Sequence, residues 1–165
     1  MNQPWQFIAE CLRAELAEYG GLLHLFESQQ LSLFKRDPEA VLRCAGEIEA
    51  QARAVAERRT RREEAVSQFA AAHGQPSTAS LRSLLPFIAN EARPLLEALI
   101  SEVNLLLHRV RRTSRHNHTL LARAVELHQE TLQHLRPQSF VKTYSAAGRV
   151  AVAAAPLAGT LRAAG

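Results

Sequence analysis

Mostly apolar residues recur at alternating steps of four and three along the first 73 residues of the chain. In the first segment these positions are Trp5, Ala9, Leu12, Leu16, Tyr19, Leu23, Phe26, Gln30 and Leu33. In the second segment they are Val41, Ala45, Ile48, Ala52, Val55, Arg59, Arg62, Val66, Phe69 and His73. This spacing is typical of helices that pack lengthwise against other helices. We therefore predict two long helices that share one apolar interface.

A third segment runs from Leu95 to Arg136 without Gly or Pro. A helix of about 42 residues would be roughly 60 Å long. Its first apolar half contains Leu95, Leu96, Leu99, Val103, Leu106, Leu107 and Val110, and its second contains Leu120, Leu121, Ala124, Leu127, Leu132 and Leu135. The residues between the halves are polar, namely Thr113, Ser114, Asn117 and His118. Such an interruption fixes the register of packed helices, or else it marks a hinge or an exposed half-helix.

The ends of these segments carry helix start and stop signals. Asp37 and Pro38 predict the cap and first position of the second helix, and Gly74 predicts its end. Ser77 or Thr78 is predicted to cap a short helix that Pro86 ends. The Gly20–Gly21 pair predicts a bend or a close approach in the first helix.

The predicted fold class is all-α, an elongated antiparallel bundle of three long helices plus one short helix. Residues 1–136 would form the bundle, and the Ala-rich residues 137–165 a mobile C-terminal tail. The sequence contains no uninterrupted run of about 18 apolar residues, so no membrane span is predicted, and the first residues lack the pattern of a secretion signal. We expect a cytoplasmic protein, in which Cys11 and Cys44 are small core residues.

The chain has a formal net charge of +4, and all but two of its 20 basic residues are Arg. Two clusters stand out, namely Arg58, Arg59, Arg61 and Arg62 in the second segment and Arg109, Arg111, Arg112 and Arg115 in the third. They predict either salt-bridged helix faces or a nucleic-acid interface, and the first is favoured because no aromatic residues interleave with them. Arg59 and Arg62 occupy apolar positions, which requires their guanidinium groups to reach water or a carboxylate.

The sequence argues against an enzyme. No His pair has the one-turn spacing with a carboxylate that makes a helical zinc site, and the adjacent carboxylates Glu63 and Glu64 do not face each other on a helix. A phosphate-binding Gly-rich loop and a nucleophile elbow are also missing. We expect no catalytic residue, no metal and no cofactor.

Two short motifs are more specific than the helical pattern, namely Asn117-x-x-Leu120-Leu121 on the last helix and Tyr144-x-x-x-Gly148 beyond it. With these motifs, the order of parts over about residues 9–149 resembles the FlgN family of flagellar export chaperones. The chain departs from the family pattern at Glu47, where a basic residue is usual, and in its longer Ala-rich tail.

The resemblance implies a cytoplasmic chaperone that binds the hook-filament junction subunits FlgK and FlgL before type III secretion and prevents their premature assembly. The substrate contacts that follow are Asn117, Leu120, Leu121, Ala124, Leu127, Leu132 and Leu135. The alternative for these residues is that they complete the bundle within the chain. Tyr144 matches the family tyrosine associated with docking on the export-gate protein FlhA. An Arg-rich nucleic-acid-binding protein and a self-associating coiled coil are the competing functions.

Overall fold

The computed structural model describes residues 4–135, 140–144 and 150–154. The helices are α1 (Pro4–Phe34), α2 (Pro38–Ala72), α3 (Leu81–Leu84) and α4 (Arg93–Leu135), with a 3₁₀ turn at Leu85–Phe87 after α3. The strands are β1 (Phe140–Tyr144) and β2 (Val150–Ala154). The chain forms two compact units, Met1–Leu120 and Leu121–Gly165, and α4 contributes to both.

Helices α1 and α2 of the first unit run antiparallel. Glu18 on α1 accepts a hydrogen bond from Gln51 on α2, with 2.7 Å between Oε2 and Nε2. Glu15, one turn earlier on α1, pairs with Arg62, which lies later on α2. Partners that advance along one helix as they retreat along the other define an antiparallel pair, as the turn at Asp37 requires.

Helix α4 runs parallel to α1 in the first unit. Its Val103 lines the same cleft as Leu12 near the start of α1. Further along both helices, Asn117 donates a hydrogen bond to the carbonyl oxygen of Phe26 at 2.7 Å. The first unit is therefore an up-down-up arrangement of three helices.

The core of this unit lies where the three long helices meet. Its largest fully buried apolar side chains are Ile8 and Leu12 from α1, Leu84 from α3 and Leu96 from α4. The α3 segment closes the end of the bundle, where the His73 ring contacts Phe69 and Phe87 with centroid separations of 4.2 and 5.5 Å. The predicted all-α fold is confirmed for the four helices. None of the helices that the structure describes combines the length and apolar character needed to cross a bilayer.

The predicted ends of α2 are confirmed. The Asp37 side chain accepts a hydrogen bond from the Ala40 amide at 3.0 Å, and Pro38 occupies the first turn. At the other end Gly74 has φ of 66°, a left-handed conformation that glycine adopts at little cost.

The predicted cap of the short helix is wrong. Ser80, not Ser77 or Thr78, is the N-cap of α3, and its hydroxyl accepts from the Ser83 amide at 3.2 Å. Several polar residues of the loop after α2 are equally good caps, so the sequence alone does not select Ser80.

The glycine pair in α1 leaves the helix uninterrupted. Of the two predicted explanations, the structure supports close approach. A Cβ atom at Gly21 would lie 3.0 Å from Nε2 of Gln51, whereas nothing lies within 4 Å of the same point at Gly20. Gly21 thus makes room for the Gln51 side chain that joins α2 to Glu18.

The second unit contains the last part of α4 and an antiparallel hairpin that the sequence did not predict. In the hairpin, Phe140 pairs with Ala154, and Tyr144 pairs with Val150. The other residues of the expected mobile tail, 137–139, 145–149 and 155–165, lie outside the described residues. The division at residue 136 into bundle and tail stays a prediction.

Candidate functional site

One face of α4 forms its contact with the bundle. Leu96, Leu99, Val103, Val110 and Asn117 are all buried. At about 100° per residue these side chains fall within a strip roughly 60° wide along the helix. This face packs α4 into the first unit.

The same face continues to the end of α4 without being buried. Leu121 and Ala124 are half-buried, whereas the side chains of Val125, Leu132 and Leu135 are 54%, 59% and 73% exposed. By the same angular step, these five residues lie on a strip roughly 100° wide that is in line with the buried face. We call them the apolar strip. An aliphatic helix face that stays in water is a candidate protein-binding surface.

The remaining predicted leucines flank this strip. Leu120 is half-buried, and Leu127 is 63% exposed. Both lie on the neighbouring side of the helix, more than about 60° from Leu121. Val125 belongs to the strip but was missed by the sequence analysis, although its four-residue step from Leu121 was a signal for it.

Asn117 occupies a different place from the other predicted contacts. Its side chain is 1% exposed, and its amide nitrogen donates to the Phe26 carbonyl at 2.7 Å and to Oε1 of Gln29 at 3.1 Å. Its Oδ1 is buried and has no hydrogen-bond partner among the described residues. Asn117 is thus the polar residue that sets the register of α4 on α1, and contact with a partner would require these bonds to open.

Tyr144, the predicted docking residue, is the last residue of β1. Its backbone pairs with Val150 across the hairpin. Gly148 of the Tyr-x-x-x-Gly pattern lies outside the described residues.

The family model for FlgN protein matches residues 6–151. The chain belongs to the FlgN family. No curated protein and no solved structure matches it. Membership makes the chain one of a family of flagellar export chaperones, whose members bind flagellar subunits. The matched range includes the whole apolar strip and β1.

In this FlgN-family chain, the first Arg cluster is largely paired with carboxylates. Arg62 reaches the buried Glu15 with 2.6 Å between Nε and Oε2, and Arg58 reaches Glu18 at 3.3 Å. Arg59 hydrogen-bonds Glu63 at 2.8 Å on the exposed face of α2. This bond and the attraction between the two charges lower the pKa of the Glu63 carboxyl. Three of the four arginines are therefore salt-bridged, as the favoured interpretation predicts.

The second Arg cluster is different. Arg109, Arg111, Arg112 and Arg115 are all exposed, and none of them forms an ion pair with a residue that the structure describes. These side chains are available to anionic groups.

The cysteines are free, and Cys11 is buried whereas Cys44 is half-buried. Burial raises the pKa of the Cys11 thiol despite the arginines of α2 nearby. Within the described part of the chain, no three His, Cys, Asp or Glu side chains are grouped so that they could hold a metal ion.

Proposed function

We propose that this protein is a cytoplasmic export chaperone that binds the hook-filament junction subunits, FlgK-like and FlgL-like, through their amphipathic C-terminal segments. It would hold them apart before secretion and deliver them to the flagellar export gate. The observation that carries this proposal is the apolar strip, because the face that packs α4 into the bundle continues in an exposed form to Leu135.

A helix is the natural occupant of such a strip. An amphipathic helix places apolar side chains at three- and four-residue steps and packs them against a complementary face. Segments that polymerise by helix packing would therefore be held by the same type of contact that they make in the assembled filament. A subunit segment that occupies the strip is prevented from making that contact early.

The size of the strip supports reversible capture. Burying one Leu or Val side chain contributes about 1.5–3 kcal/mol, and the strip exposes three such side chains in Val125, Leu132 and Leu135. Losses of translational and side-chain freedom offset a large part of this gain. A dissociation constant in the micromolar range, about −8 kcal/mol, would require further contacts from Leu121 and from the cargo, and would still permit release at the export gate.

A pair of double variants tests the strip. Leu132→Gln with Leu135→Gln should weaken binding of a C-terminal peptide of the FlgK-like subunit roughly thirtyfold, about 2 kcal/mol, in isothermal titration calorimetry. The matched control is Leu31→Gln with Leu42→Gln, since these leucines of α1 and α2 are 59% and 72% exposed. The control should bind within about twofold of the parent.

Two outcomes would contradict the proposal. One is a strip variant that stays folded by circular dichroism and binds as tightly as the parent. The other is an equal loss in both double variants, which would mean that any exposed leucine serves. Sedimentation of the parent chain and of the strip variant tests the competing function of a self-associating coiled coil. Such a protein would form oligomers as the parent and lose them in the strip variant.

Tyr144 is proposed as the residue that docks on the FlhA-like export gate. Tyr144 lies in β1, which follows α4, so it does not belong to the helix that carries the strip. Tyr144→Ala should leave cargo affinity unchanged and weaken binding of the loaded chaperone to the gate by about 2 kcal/mol or more, as an aromatic anchor commonly does. Loss of cargo binding with gate binding intact would reverse the assignment.

A further inference from the structure

A cleft of about 500 Å³ opens in the first unit between α1, α2, the α3 segment and α4. Its polar lining comes mainly from Glu15, Tyr19, Arg59, Arg62, Arg82 and Arg111. Glu15 and Tyr19 are only 1% and 4% exposed, whereas Arg59, Arg82 and Arg111 are exposed. The two buried groups therefore lie deep in the cleft, and the three exposed arginines lie at its rim.

The charges of this cleft are unbalanced. Arg62 is paired with Glu15, and Arg59 is paired with Glu63 outside the cleft. Arg82 and Arg111 have no carboxylate partner and no hydrogen bond from their guanidinium groups among the described residues. Two guanidinium groups at the rim are thus free to bind, and the one carboxylate inside is already neutralised. An anion that enters meets a positive field.

A hydroxyl that opens into the cleft points to the same chemistry. The Tyr19 side chain is 4% exposed, and its hydroxyl makes no hydrogen bond with any residue that the structure describes. Among the described residues only Oδ1 of Asn117 is both buried and unpaired, so the Tyr19 hydroxyl is in contact with the solvent of the cleft and can donate to a ligand there. Burial, and secondarily the Glu15 carboxylate, raise the pKa of Tyr19, so the hydroxyl keeps its proton and can donate it.

We propose that this cleft binds a small oxyanion, a phosphate or carboxylate group, held by the guanidinium groups of Arg82 and Arg111 and by the Tyr19 hydroxyl. Guanidinium groups bind both kinds of oxyanion through paired N–H donors. A cleft of about 500 Å³ has room for a small anion or for the end of one side chain. The anion is therefore either a free small molecule or the end of an acidic side chain of a bound peptide. This site does not depend on the apolar strip.

Titration of the intact protein with inorganic pyrophosphate, at constant ionic strength, tests the proposal. We expect saturable binding in calorimetry, weakened at least tenfold by Arg82→Gln with Arg111→Gln. The control is Arg109→Gln with Arg112→Gln, which removes the same charge from exposed arginines outside the cleft and should change the affinity by less than about twofold. Tyr19→Phe, which removes only the hydroxyl, should weaken binding several-fold without unfolding the chain.

The proposal would be overturned if pyrophosphate binding were not saturable. It would also be overturned if both double variants lost affinity equally, because that result would reflect diffuse charge alone. A second titration with N-acetylated, amidated hexaglutamate distinguishes the two sources of the anion. Binding of pyrophosphate without the peptide assigns a free small molecule. Binding of both in competition, each weakened by the cleft variant, assigns the side chain of an acidic peptide.

Discussion

Replacing Arg62 with Met should destabilise the protein more than any other single change to its surface charges. The Glu15 carboxylate is 1% exposed, and its Oε2 lies 2.6 Å from Nε of Arg62. Met keeps most of the apolar stem of Arg62 and removes the charge. The carboxylate then stays buried without its cation, which typically costs about 3–5 kcal/mol. That is a large share of the 5–15 kcal/mol by which domains are commonly stable.

Urea denaturation followed by circular dichroism at neutral pH measures this cost. The matched control is Arg59→Met, one turn earlier on α2, because Arg59 makes the same kind of bond with Glu63 where both side chains are more than half exposed. Exposed i,i+4 pairs contribute only about 0.3–0.5 kcal/mol. The two variants differ in the burial of the carboxylate that is left behind.

A third variant separates the buried charge from other effects of the substitution. Glu15→Leu with Arg62→Met removes both charges and should recover most of the loss, since apolar replacement of a buried ion pair is often neutral or stabilising. If Arg62→Met costs no more than Arg59→Met, or if the double variant is as unstable as Arg62→Met alone, the reasoning from burial is refuted.

Three further predictions follow from single positions. Gly74→Ala should cost about 1 kcal/mol in thermal unfolding, because its φ of 66° disfavours a Cβ atom, and an unchanged midpoint would contradict this. Iodoacetamide at pH 8 should alkylate Cys11 at least about tenfold more slowly than Cys44, as measured by peptide mass spectrometry. The reason is that burial protects the Cys11 thiol and raises its pKa. Equal rates in the folded protein would show that Cys11 is accessible. Asn117→Leu should destabilise the chain by about 1–3 kcal/mol, because it leaves the buried side-chain oxygen of Gln29 without its hydrogen-bond donor. Adding Gln29→Leu should restore stability. A further loss of stability in that double variant would refute this explanation.

Helix positions and their buried faces could be predicted from the sequence because three- and four-residue spacing depends on neighbours within one helix. The register between helices could not. Arg62 was expected to reach a carboxylate, but nothing in the chain order selects Glu15, which lies 47 residues earlier. The polar residue Asn117 was recognised as a register device, whereas its partners Phe26 and Gln29 depend on how α1 and α4 slide against each other.

Only part of the candidate site could be predicted from the sequence in the same way. Apolar spacing predicted leucines on one face of α4, but whether that face is covered depends on the length of the helices beside it. The spacing is the same before and after Asn117, so periodicity alone does not separate buried residues from exposed ones. The cleft around Tyr19 is also a product of tertiary packing, because its arginines come from three separate segments of the chain.

Among the described helices α4 is the longest, with 43 residues against 31 in α1 and 35 in α2. Asn117 on α4 lies against Phe26 and Gln29 of α1. Helix α1 ends soon afterwards at Phe34, whereas α4 continues to Leu135. The exposed residues Val125, Leu132 and Leu135 belong to the part of α4 that lies outside the first unit. A chain that needed only a stable bundle would gain by ending α4 earlier or by making those turns polar. Exposed leucines there lower solubility, and the proposed partner would cover them.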